Sequence, residues 1–399
     1  MAGPLEGVRV LELAQGTAGP YAGRLFAGLG ADVVKVEPPG TGDVSRARGP
    51  FAGGREHRET SIPHLYLNAA KRSATLDLTA AEAPSLVREL AGSAHVVLED
   101  LPAADRGRLA LSYESLAGAR PSIVVASVTH FGLSGRLAGH RGAEVVDQAL
   151  SGHMAITGEA ERGPLQIGGD LAQYVAGQTA FTGALFALYH ALGTGEGQQV
   201  DCSVVESFAD ILDGEAILAL NGMPRPRLGN HTADGFLRGR GGLYECADGW
   251  VALGQTPGGW EAFAEAVGDE RLLDPALATP GGRAARKAEV ESIVEQWVAR
   301  HTKLEIYLGS QTRRNVCGFV ATPADLLASE HLRAREYFVS VEHPVAGRAE
   351  SPGAPFRFAG APWVAGRAPL LGEHNRAVYV ELLGMAPAEL ERLQSAGVM

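Results

Sequence analysis

Strand and helix patterns alternate through the first third of the chain, and this alternation does most to limit the folds open to it. Short runs of buried-strand character are separated by helical stretches, the first of which begins with Pro and ends with Gly. We interpret strands at 8–13, 32–37, 74–78, 95–99 and 123–128, and helices at 20–30 and 81–90. Because strands that alternate with helices favour a parallel sheet, the pattern predicts an α/β domain whose sheet is covered on both faces.

The pattern of predicted secondary structure and the composition of the chain change near residue 220. Two long helical patterns occupy 171–192 and 204–220, with a short strand at 199–202 between them. A segment rich in Gly, Pro and Arg follows at 221–242. A segment of that last kind is typical of a functional loop or a domain linker. Further on we interpret a hairpin at 243–246 and 250–253, helices at 259–267 and 287–300, an extended stretch at 337–362, and helices at 377–383 and 387–396.

The length of 399 residues is too great for one ordinary core and predicts several domains. We expect a large α/β domain whose first part is 1–220 and a smaller α+β domain at 225–335. Residues 336–399 should form a linker and a return to the large domain.

Composition and charge exclude several classes of function. The net charge of −11 argues against nucleic acid or an anionic membrane as a partner, since those surfaces select for excess Lys and Arg. The apolar run at 171–192 carries several polar side chains and is predicted to be a buried core helix rather than a membrane span. Three scattered cysteines and no visible signal peptide predict a reducing, cytoplasmic location.

Familiar cofactor and catalytic motifs are missing from the sequence. The first strand-to-helix turn contains Gly16 and Gly19 but not GxGxxG, and no P-loop, GxSxG elbow or HExxH pattern occurs. The sequence therefore predicts no metal site and gives no sign of a dinucleotide site or a serine nucleophile. Basic residues such as Lys35 and Lys71 are interpreted singly as solvated surface charges, although several together would be able to clamp phosphates.

Asp170 stands directly before the helical run at 171–192, in the segment Gly168-Gly169-Asp170. Two interpretations fit this position. Asp is a preferred N-cap residue, and the first-turn N–H groups would also favour an ionised carboxylate that is able to act as a nucleophile. The position alone leaves both interpretations open.

Several motifs occur in a fixed order over nearly the whole chain. They are GADVVKVEPPG at 30–40 followed by Gly42-Asp43, NAAKRSATLDL at 68–78, YESL at 113–116, FGLSG at 131–135, QALSG at 148–152, GTGEGQQVD at 193–201 and LGEH at 371–374. In this order they resemble the class III CoA-transferases, which include formyl-CoA and carnitine CoA-transferases. The α-methylacyl-CoA racemases are close relatives of that family.

The resemblance implies a fold, an assembly and a reaction. The fold would have a doubly wound parallel-sheet large domain containing both termini and a smaller α+β domain, and two chains would thread through each other as an interlocked homodimer. Asp170 would attack an acyl-CoA thioester and pass CoA to a carboxylic acid through covalent aspartyl intermediates. No cofactor beyond coenzyme A, as substrate and product, would be required.

The resemblance also assigns roles to individual residues. Catalytic roles fall on Asp170 and on Glu144, an acidic residue expected beside the nucleophile. Contacts with CoA fall on Thr17, Ala18, Leu76, Thr79, Asp100, Arg108 and Arg141, and the glycine-rich substrate loop falls on Gly239, Gly241 and Gly242. The segment EDLPAA at 99–104 departs from the family's Glu-Asn-Phe-Arg-Pro-Gly and places a negative charge near the expected nucleotide, which puts the affinity for CoA in doubt.

Two alternatives to a transferase are considered. A racemase needs a further acid/base pair, but the racemase His and Glu positions align with Ala143 and Pro257, whose side chains cannot carry a proton, so a transferase is favoured. An alignment with a shifted gap would instead place His140, three residues earlier, at the His position. A non-catalytic CoA-binding subunit of a heteromer is disfavoured by the presence of Asp170 and supported by the altered segment at Asp100. The acyl donor and the acceptor cannot be predicted from the sequence.

Overall fold

Six parallel strands form the central sheet of the chain. The computed structural model describes residues 3–212, 214–224, 226–227, 229–230, 242–254 and 259–399. The strands are β1 (Arg9–Glu12), β2 (Asp32–Glu37), β3 (Arg72–Thr75), β4 (Val96–Glu99), β5 (Val124–Thr129) and β6 (Gln199–Ser203), in the order β3-β2-β1-β4-β5-β6. All neighbouring pairs are parallel, with Val10 opposite both Val33 and Val96. The predicted parallel α/β sheet is confirmed.

Helices cover both faces of this sheet. The chain from residue 18 to residue 210 contains α1 (Ala18–Gly28), α2 (Ile62–Leu67), α3 (Ala83–Ser93), α4 (Ala103–Leu109), α5 (Tyr113–Ala117), α6 (Glu144–Leu150), α7 (His153–Ile156), α8 (Leu171–Thr194) and α9 (Val204–Asp210). One apolar layer packs α1 and α8 against the sheet, and a second packs α3 and the C-terminal helical segments against the other face. The central strands β1, β2, β4 and β5 are therefore largely buried on both sides, which explains their mainly apolar sequences, whereas the edge strands β3 (RSAT) and β6 (QVDCS) are more polar.

Helix α8 packs through its small residues. Its buried side is mostly alanine, and a Cβ atom added at Gly177 would lie only 2.5 Å from the backbone oxygen of Ala18 in α1. This close approach brings the start of α1 near α8. The opposite side of α8 exposes Phe186, Tyr189 and Leu192, so the predicted burial of this helix holds on one side only. Among the described residues, no helix is both long and apolar enough to cross a membrane.

The described residues divide into two compact units. The first unit comprises Met1–His153, Ile167–Gly214 and His331–Met399, and the second comprises Met154–Gln166 and Glu215–Glu330. The predicted domain boundaries at 220, 225 and 335 stay a prediction.

The second unit combines an antiparallel sheet with helices. Between residues 215 and 330 the chain forms α10 (Glu215–Leu220), β7 (Gly242–Cys246), β8 (Gly249–Leu253), α11 (Gly259–Val267), α12 (Pro280–Ala285), α13 (Lys287–Val298), α14 (Lys303–Gln311), β9 (Cys317–Phe319) and α15 (Pro323–Ala328), with short 3₁₀ turns at Glu270–Leu273 and Pro275–Ala278. Helix α16 (Glu330–Ala334) begins at the last residue of this unit and continues into the first. The sheet order is β7-β8-β9, and its core includes Val251, Phe263 and Val294. Contrary to the prediction of one helix at 204–220, α9 and α10 are separate.

The C-terminal part of the first unit is more ordered than the sequence predicts. The stretch predicted as extended at 337–362 contains an antiparallel hairpin of β10 (Phe338–His343) and β11 (Gly347–Pro352), and a π-helix (Arg376–Leu382) and α17 (Pro387–Ser395) follow.

The segment 371–375 covers the outer edge of strand β3. The N–H groups of Gly372 and His374 donate to the Oγ and backbone oxygen of Ser73, at 3.0 and 2.9 Å. The Thr75 N–H donates to Asn375 Oδ1 at 2.8 Å. These bonds give the edge strand partners on its open side.

Candidate active site

The strand order reverses between β1 and β4, which marks the place where a ligand-binding crevice is expected. The chain leaves β1 toward β2 and β3, and leaves β4 in the opposite direction toward β5 and β6. Ligands of open α/β sheets bind where the strand order reverses, beyond the carboxyl ends of the strands. The loops that follow β1 and β4 meet there, since the Gln15 N–H donates to Asp100 Oδ2 at 2.9 Å.

A buried ion network lies beneath the loop after β1. Lys35 Nζ contacts Glu12 Oε1 at 2.8 Å and Asp43 Oδ2 at 2.7 Å, and Lys71 Nζ contacts Glu12 Oε2 at 2.7 Å. Desolvation opposes the charge on Lys35, but the carboxylates of Asp43 and Glu12 outweigh it and raise the pKa of Lys35. The prediction that Lys35 and Lys71 are solvated surface charges is wrong, because each finds carboxylate partners inside the protein.

This network fixes the backbone that carries Thr17. Lys35 Nζ donates to the Ala14 oxygen at 2.8 Å, and the Gly16 N–H donates to Asp43 Oδ1 at 3.2 Å. Buried charges that are paired and hydrogen-bonded resist rearrangement, since separating them would leave a charge unpaired in a medium of low dielectric. The loop is thereby held in one arrangement.

Thr17 and Arg48 converge on the carboxylate of Asp170. Thr17 Oγ1 donates to Asp170 Oδ2 at 2.9 Å, and Arg48 Nη2 contacts the same oxygen at 2.7 Å. Arg48 Nη1 also donates to Thr17 Oγ1 at 3.2 Å. Both bonds fall on Oδ2, which leaves Oδ1 without a hydrogen-bond partner in the described part of the chain. The Asp170 side chain is 26% exposed, so ligands can reach it.

The helix that follows Asp170 is capped by another residue. Asp170 occupies the N-cap position of α8, but its side chain accepts no capping hydrogen bond. Glu144 instead accepts from the N–H groups of Ala172, at 2.9 Å, and Gln173, at 3.2 Å. The interpretation of Asp170 as the residue that caps α8 is therefore wrong, because the carboxylate of Glu144 accepts from the N–H groups of Ala172 and Gln173.

Glu144 is itself held in place by a neighbouring amide. Gln148 Nε2 donates to Glu144 Oε1 at 2.7 Å and to the Ile167 oxygen at 3.0 Å, and Gln148 Oε1 accepts from the Ile167 N–H at 2.8 Å. Glu144 thus has a structural role beside Asp170 that frees the Asp170 carboxylate for other contacts. The residue just before Asp170, Gly169, adopts a φ of +80°, a left-handed conformation that favours glycine.

A cavity of about 340 Å³ opens in front of Asp170. It is lined by Thr17, Arg48, Pro50, Ile62, Pro63, Tyr66, Leu67, Gly169, Asp170 and Tyr174. Arg48 is the one cation among these lining residues. Burial raises the pKa of Tyr66 to about 12 and also raises the pKa of Tyr174, so both phenols stay neutral at physiological pH. The cavity therefore offers a carboxylate and a guanidinium within mostly uncharged walls.

The predicted CoA contacts occupy several loops of the first unit. Thr17 belongs to the Asp170 cluster, Ala18 begins α1, and Asp100 lies at the strand-order reversal. Thr79 follows β3, and its Oγ1 donates a hydrogen bond to Asp77 Oδ1. The hydrogen bonds from Thr79 are the main cause that lowers the pKa of Asp77, and the positive charge of Arg108 lowers it further.

The remaining predicted contacts differ in their surroundings. Leu76 is fully buried, and its backbone N–H donates to the oxygen of Glu37. Arg141 is exposed. Gly242 begins β7 in the second unit, whereas Gly239, Gly241 and Pro257 lie outside the described residues.

Asp100 carries less charge than its sequence suggests. Desolvation by burial raises its pKa to about 7, although the hydrogen bond from the Gln15 N–H and the charge of Lys35 lower it. At neutral pH this carboxyl group is therefore only partly ionised. The negative charge expected near the nucleotide is correspondingly reduced.

Arg48 is the site residue that sequence reasoning missed. It lies in an irregular segment, and 122 positions separate it from Asp170. The available signal was the pair Arg46 and Arg48 shortly after the Gly42-Asp43 motif. Of the two, Arg46 is buried against Glu37 and Glu59, and only Arg48 reaches Asp170.

A protein-family model described as CoA-transferase family III matches residues 5–375. The chain belongs to this family. It is 32% identical to the formyl-CoA:oxalate CoA-transferase of Streptomyces avermitilis, over 99% of both chains. It is also 32% identical to the succinate–glutarate CoA-transferase of Agrobacterium fabrum, over 95% of this chain and 96% of that one.

A solved structure shares the fold. A CaiB/BaiF family protein from Brucella suis superposes with a TM-score of 0.85 at 28% identity, covering 96% of this chain and 100% of that one. The predicted family and enzyme class are confirmed, and the chain is a family III CoA-transferase. The CoA-transferases to which it is similar act on acyl-CoA and carboxylic acid substrates.

Proposed function

We propose that the enzyme transfers CoA from an acyl-CoA to a dicarboxylic acid through covalent intermediates on Asp170. The observation that carries this proposal is the geometry of the Asp170 carboxylate. Its Oδ2 is held by Thr17 and Arg48, Oδ1 has no hydrogen-bond partner among the described residues, and the group borders an open cavity. A nucleophile that is positioned through one oxygen presents the other to a bound thioester.

The chemistry proceeds through two kinds of intermediate. Asp170 Oδ1 attacks the thioester carbonyl carbon, the carbon–sulfur bond breaks, and CoA leaves as its thiolate from a mixed anhydride. The thiolate attacks the Asp170 carbonyl carbon of this anhydride, which expels the donor acid as a carboxylate and leaves an aspartyl-CoA thioester. The acceptor carboxylate then attacks that thioester, and the released thiolate attacks the acceptor's acyl carbon, which regenerates Asp170 and yields the new acyl-CoA.

Arg48 supports the choice of a dicarboxylic acid. When Asp170 is acylated it loses its negative charge, so the guanidinium of Arg48 loses its partner in the cavity. A guanidinium binds carboxylates strongly and with defined geometry, so Arg48 is suited to hold the second carboxylate of an acceptor at that stage. The names of the relatives in Streptomyces avermitilis and Agrobacterium fabrum, with oxalate, succinate and glutarate, agree with this class of acceptor.

The proposal extends to the nucleotide and the assembly. Thr17, Ala18, Leu76, Thr79, Asp100, Arg108 and Arg141 would contact CoA, and Gly239, Gly241 and Gly242 would close over the intermediate. The exposed apolar side of α8 supports assembly as an interlocked homodimer, since contiguous exposed apolar surface marks interaction sites. We place the reaction in the cytoplasm.

The test is to trap the intermediate. The enzyme is incubated with a panel of acyl-CoA donors and hydroxylamine, and peptide mass spectrometry locates the hydroxamate. Label is expected at Asp170, and the variant Asp170→Asn serves as the unlabelled control. Turnover without label at Asp170 would refute the covalent mechanism. Loss of α-deuterium from a 2-methylacyl-CoA would instead support the racemase alternative, which the exposed Ala143 in the racemase His position disfavours.

A further inference from the structure

Two phenol groups in the lining of the Asp170 cavity have no hydrogen-bond partner in the described part of the chain. They belong to Tyr66 in α2 and Tyr174 in α8. Neither phenol oxygen is among the buried side-chain atoms that lack a partner, so both have accessible surface. The remaining hydroxyl of the lining, on Thr17, already donates to Asp170 Oδ2. The two phenols are therefore the uncharged side-chain donors that are free to bind a ligand in this cavity.

A buried guanidinium lies against the ring of Tyr66. Arg24 in α1 is 4% exposed, and its Cζ lies 4.1 Å from the centre of the Tyr66 ring. The same carbon lies 5.5 Å from the centre of the Trp363 ring. Cations at such distances are attracted to the faces of aromatic rings. Arg24 therefore helps to fix the position of the Tyr66 ring in the cavity wall.

The charge of Arg24 is not balanced by a carboxylate of the described residues. Its Nη2 donates to the Pro352 oxygen at 2.7 Å, whereas its Nε is buried without a hydrogen-bond partner. A buried arginine stays protonated, and buried charges are ordinarily paired because their desolvation is costly. An unbalanced cation behind the cavity wall favours negative charge on groups that bind to the other side of that wall.

The proposed reaction creates negative charge on a second oxygen besides those of Asp170. When Asp170 Oδ1 attacks the thioester carbon, an electron pair moves onto the carbonyl oxygen, which becomes an oxyanion. Thr17 and Arg48 bond to Oδ2 of the nucleophile, so they position the attacking group. A donor already directed at the oxyanion lowers the barrier, because its bond strengthens in the transition state. A neutral phenol with a cation behind it has the properties of such a donor.

We propose that Tyr66 is a catalytic residue whose Oη donates a hydrogen bond to the thioester carbonyl oxygen, and that Arg24 positions it. This inference rests on the proposed function, because it requires the carbonyl carbon to react at Asp170. The hydrogen bond strengthens as the tetrahedral intermediate forms, while the proton stays on the phenol. When the carbon–sulfur bond breaks, the electron pair returns to the carbonyl and the thiolate leaves. Among the described residues no cation lies over the ring of Tyr174, so Tyr66 is the favoured donor.

The test separates the hydroxyl of Tyr66 from its ring. Tyr66→Phe keeps the aromatic wall and removes only the donor. The substrate is whichever of formyl-, acetyl-, succinyl- and benzoyl-CoA labels wild-type Asp170 fastest in the presence of hydroxylamine. With that substrate at saturation, the rate of hydroxamate formation should fall about 100-fold, the lower end of the range for loss of one oxyanion donor. The matching CoA thioether, in which a methylene group replaces the carbonyl, should bind both proteins with equal affinity in calorimetry.

Variants of Arg24 test whether it acts through Tyr66. Arg24→Met removes the charge and should slow the labelling of Asp170 about tenfold, within the range expected for a desolvated cation–ring contact. Arg24→Lys restores a cation and should recover most of that rate. In the double variant Tyr66→Phe/Arg24→Met, the loss should be smaller than the product of the two single losses, because residues that act as a unit are not additive.

A neighbouring phenol supplies the matched control. The ring centre of Tyr21 lies 4.9 Å from that of Tyr174, but Tyr21 is not among the lining residues of the cavity. Tyr21→Phe should therefore label Asp170 at the wild-type rate.

Three results would overturn the proposal while the wild type is still labelled. They are an undiminished rate in Tyr66→Phe, a larger loss of rate in Tyr174→Phe than in Tyr66→Phe, and a loss of thioether affinity in Tyr66→Phe that matches its loss of rate. If none of the four thioesters labels wild-type Asp170, the proposed function fails and the role of Tyr66 fails with it.

Discussion

The cap that Glu144 provides predicts a coupled loss of stability and activity. Glu144→Ala leaves the N–H groups of Ala172 and Gln173 without their acceptor. Loss of an N-terminal cap costs about 0.5–2 kcal/mol. The bonds that are lost here are charge-assisted, so we expect a cost of about 2 kcal/mol, near the upper end of that range. The melting temperature of the variant should then fall by about 4 °C.

Activity should fall for a separate reason. Asp170 already occupies the N-cap position, from which an aspartate side chain normally accepts from the second and third N–H groups of a helix. Without Glu144, those N–H groups attract Asp170 away from Thr17 and Arg48. If the turned conformer then becomes more stable than the active one by about 1–1.4 kcal/mol, the rate of hydroxamate formation at Asp170 should fall about sixfold to elevenfold.

Two control variants separate the effects. Glu144→Gln keeps one oxygen for Ala172 and should show about half of each loss. Glu305→Ala removes the carboxylate of an exposed capping box at α14 in the second unit, so it should lower stability without slowing the labelling of Asp170. The reasoning is refuted if Glu144→Ala labels at the wild-type rate, or if Glu305→Ala slows labelling equally.

Two further predictions concern Arg48 and Asp100. Arg48→Ala should raise the KM for glutarate at least tenfold more than the KM for a monocarboxylate of similar length. The reason is that a hydrogen bond to a charged group contributes roughly 1.5–3 kcal/mol. Equal effects on the two KM values in steady-state kinetics would contradict the dicarboxylate assignment. For Asp100, whose folded pKa of about 7 exceeds its ordinary value of 3.8, the unfolded state releases its proton first as the pH rises. The wild type therefore loses stability between about pH 4 and pH 7. The melting temperature of Asp100→Asn should rise relative to that of the wild type as the pH increases over that range. A difference in melting temperature that stays constant with pH would contradict the raised pKa.

The sheet could be predicted from the sequence because its signals are local. Buried parallel strands such as β4, at Val96–Glu99, consist almost entirely of apolar residues, and Gly and Pro mark the ends of the helices between them. The hairpin at 338–352 was missed because β11 (GRAESP) is largely exposed and lacks an apolar alternation, so the short alternation of β10 has no matching partner strand in the sequence. Its stability depends on pairing that the local pattern does not encode.

The active site was only partly predictable, because its chemistry depends on long-range partners. Asp170 and Glu144 were found through the resemblance. That Glu144 rather than Asp170 caps α8 depends on where α6 and α8 meet, which the sequence does not show. Lys35 looked like a surface charge because a single sequence does not show that Glu12 and Asp43 converge on it. The only local signal for Arg48 is its position shortly after the Gly42-Asp43 motif, and that position does not distinguish it from Arg46.

The coverage of strand β3 has a consequence for synthesis of the chain on the ribosome. The residues that complete its edge come from 371–375, and Asn375 is 300 positions after its partner Thr75. At about 5–20 residues per second, roughly 15–60 s pass between synthesis of the strand and arrival of its cover. Throughout that interval the growing chain presents an open strand edge, at which nascent chains can pair with one another. Slower translation of the 300 codons that follow Thr75 should therefore increase misassembly and the dependence of the yield on chaperones.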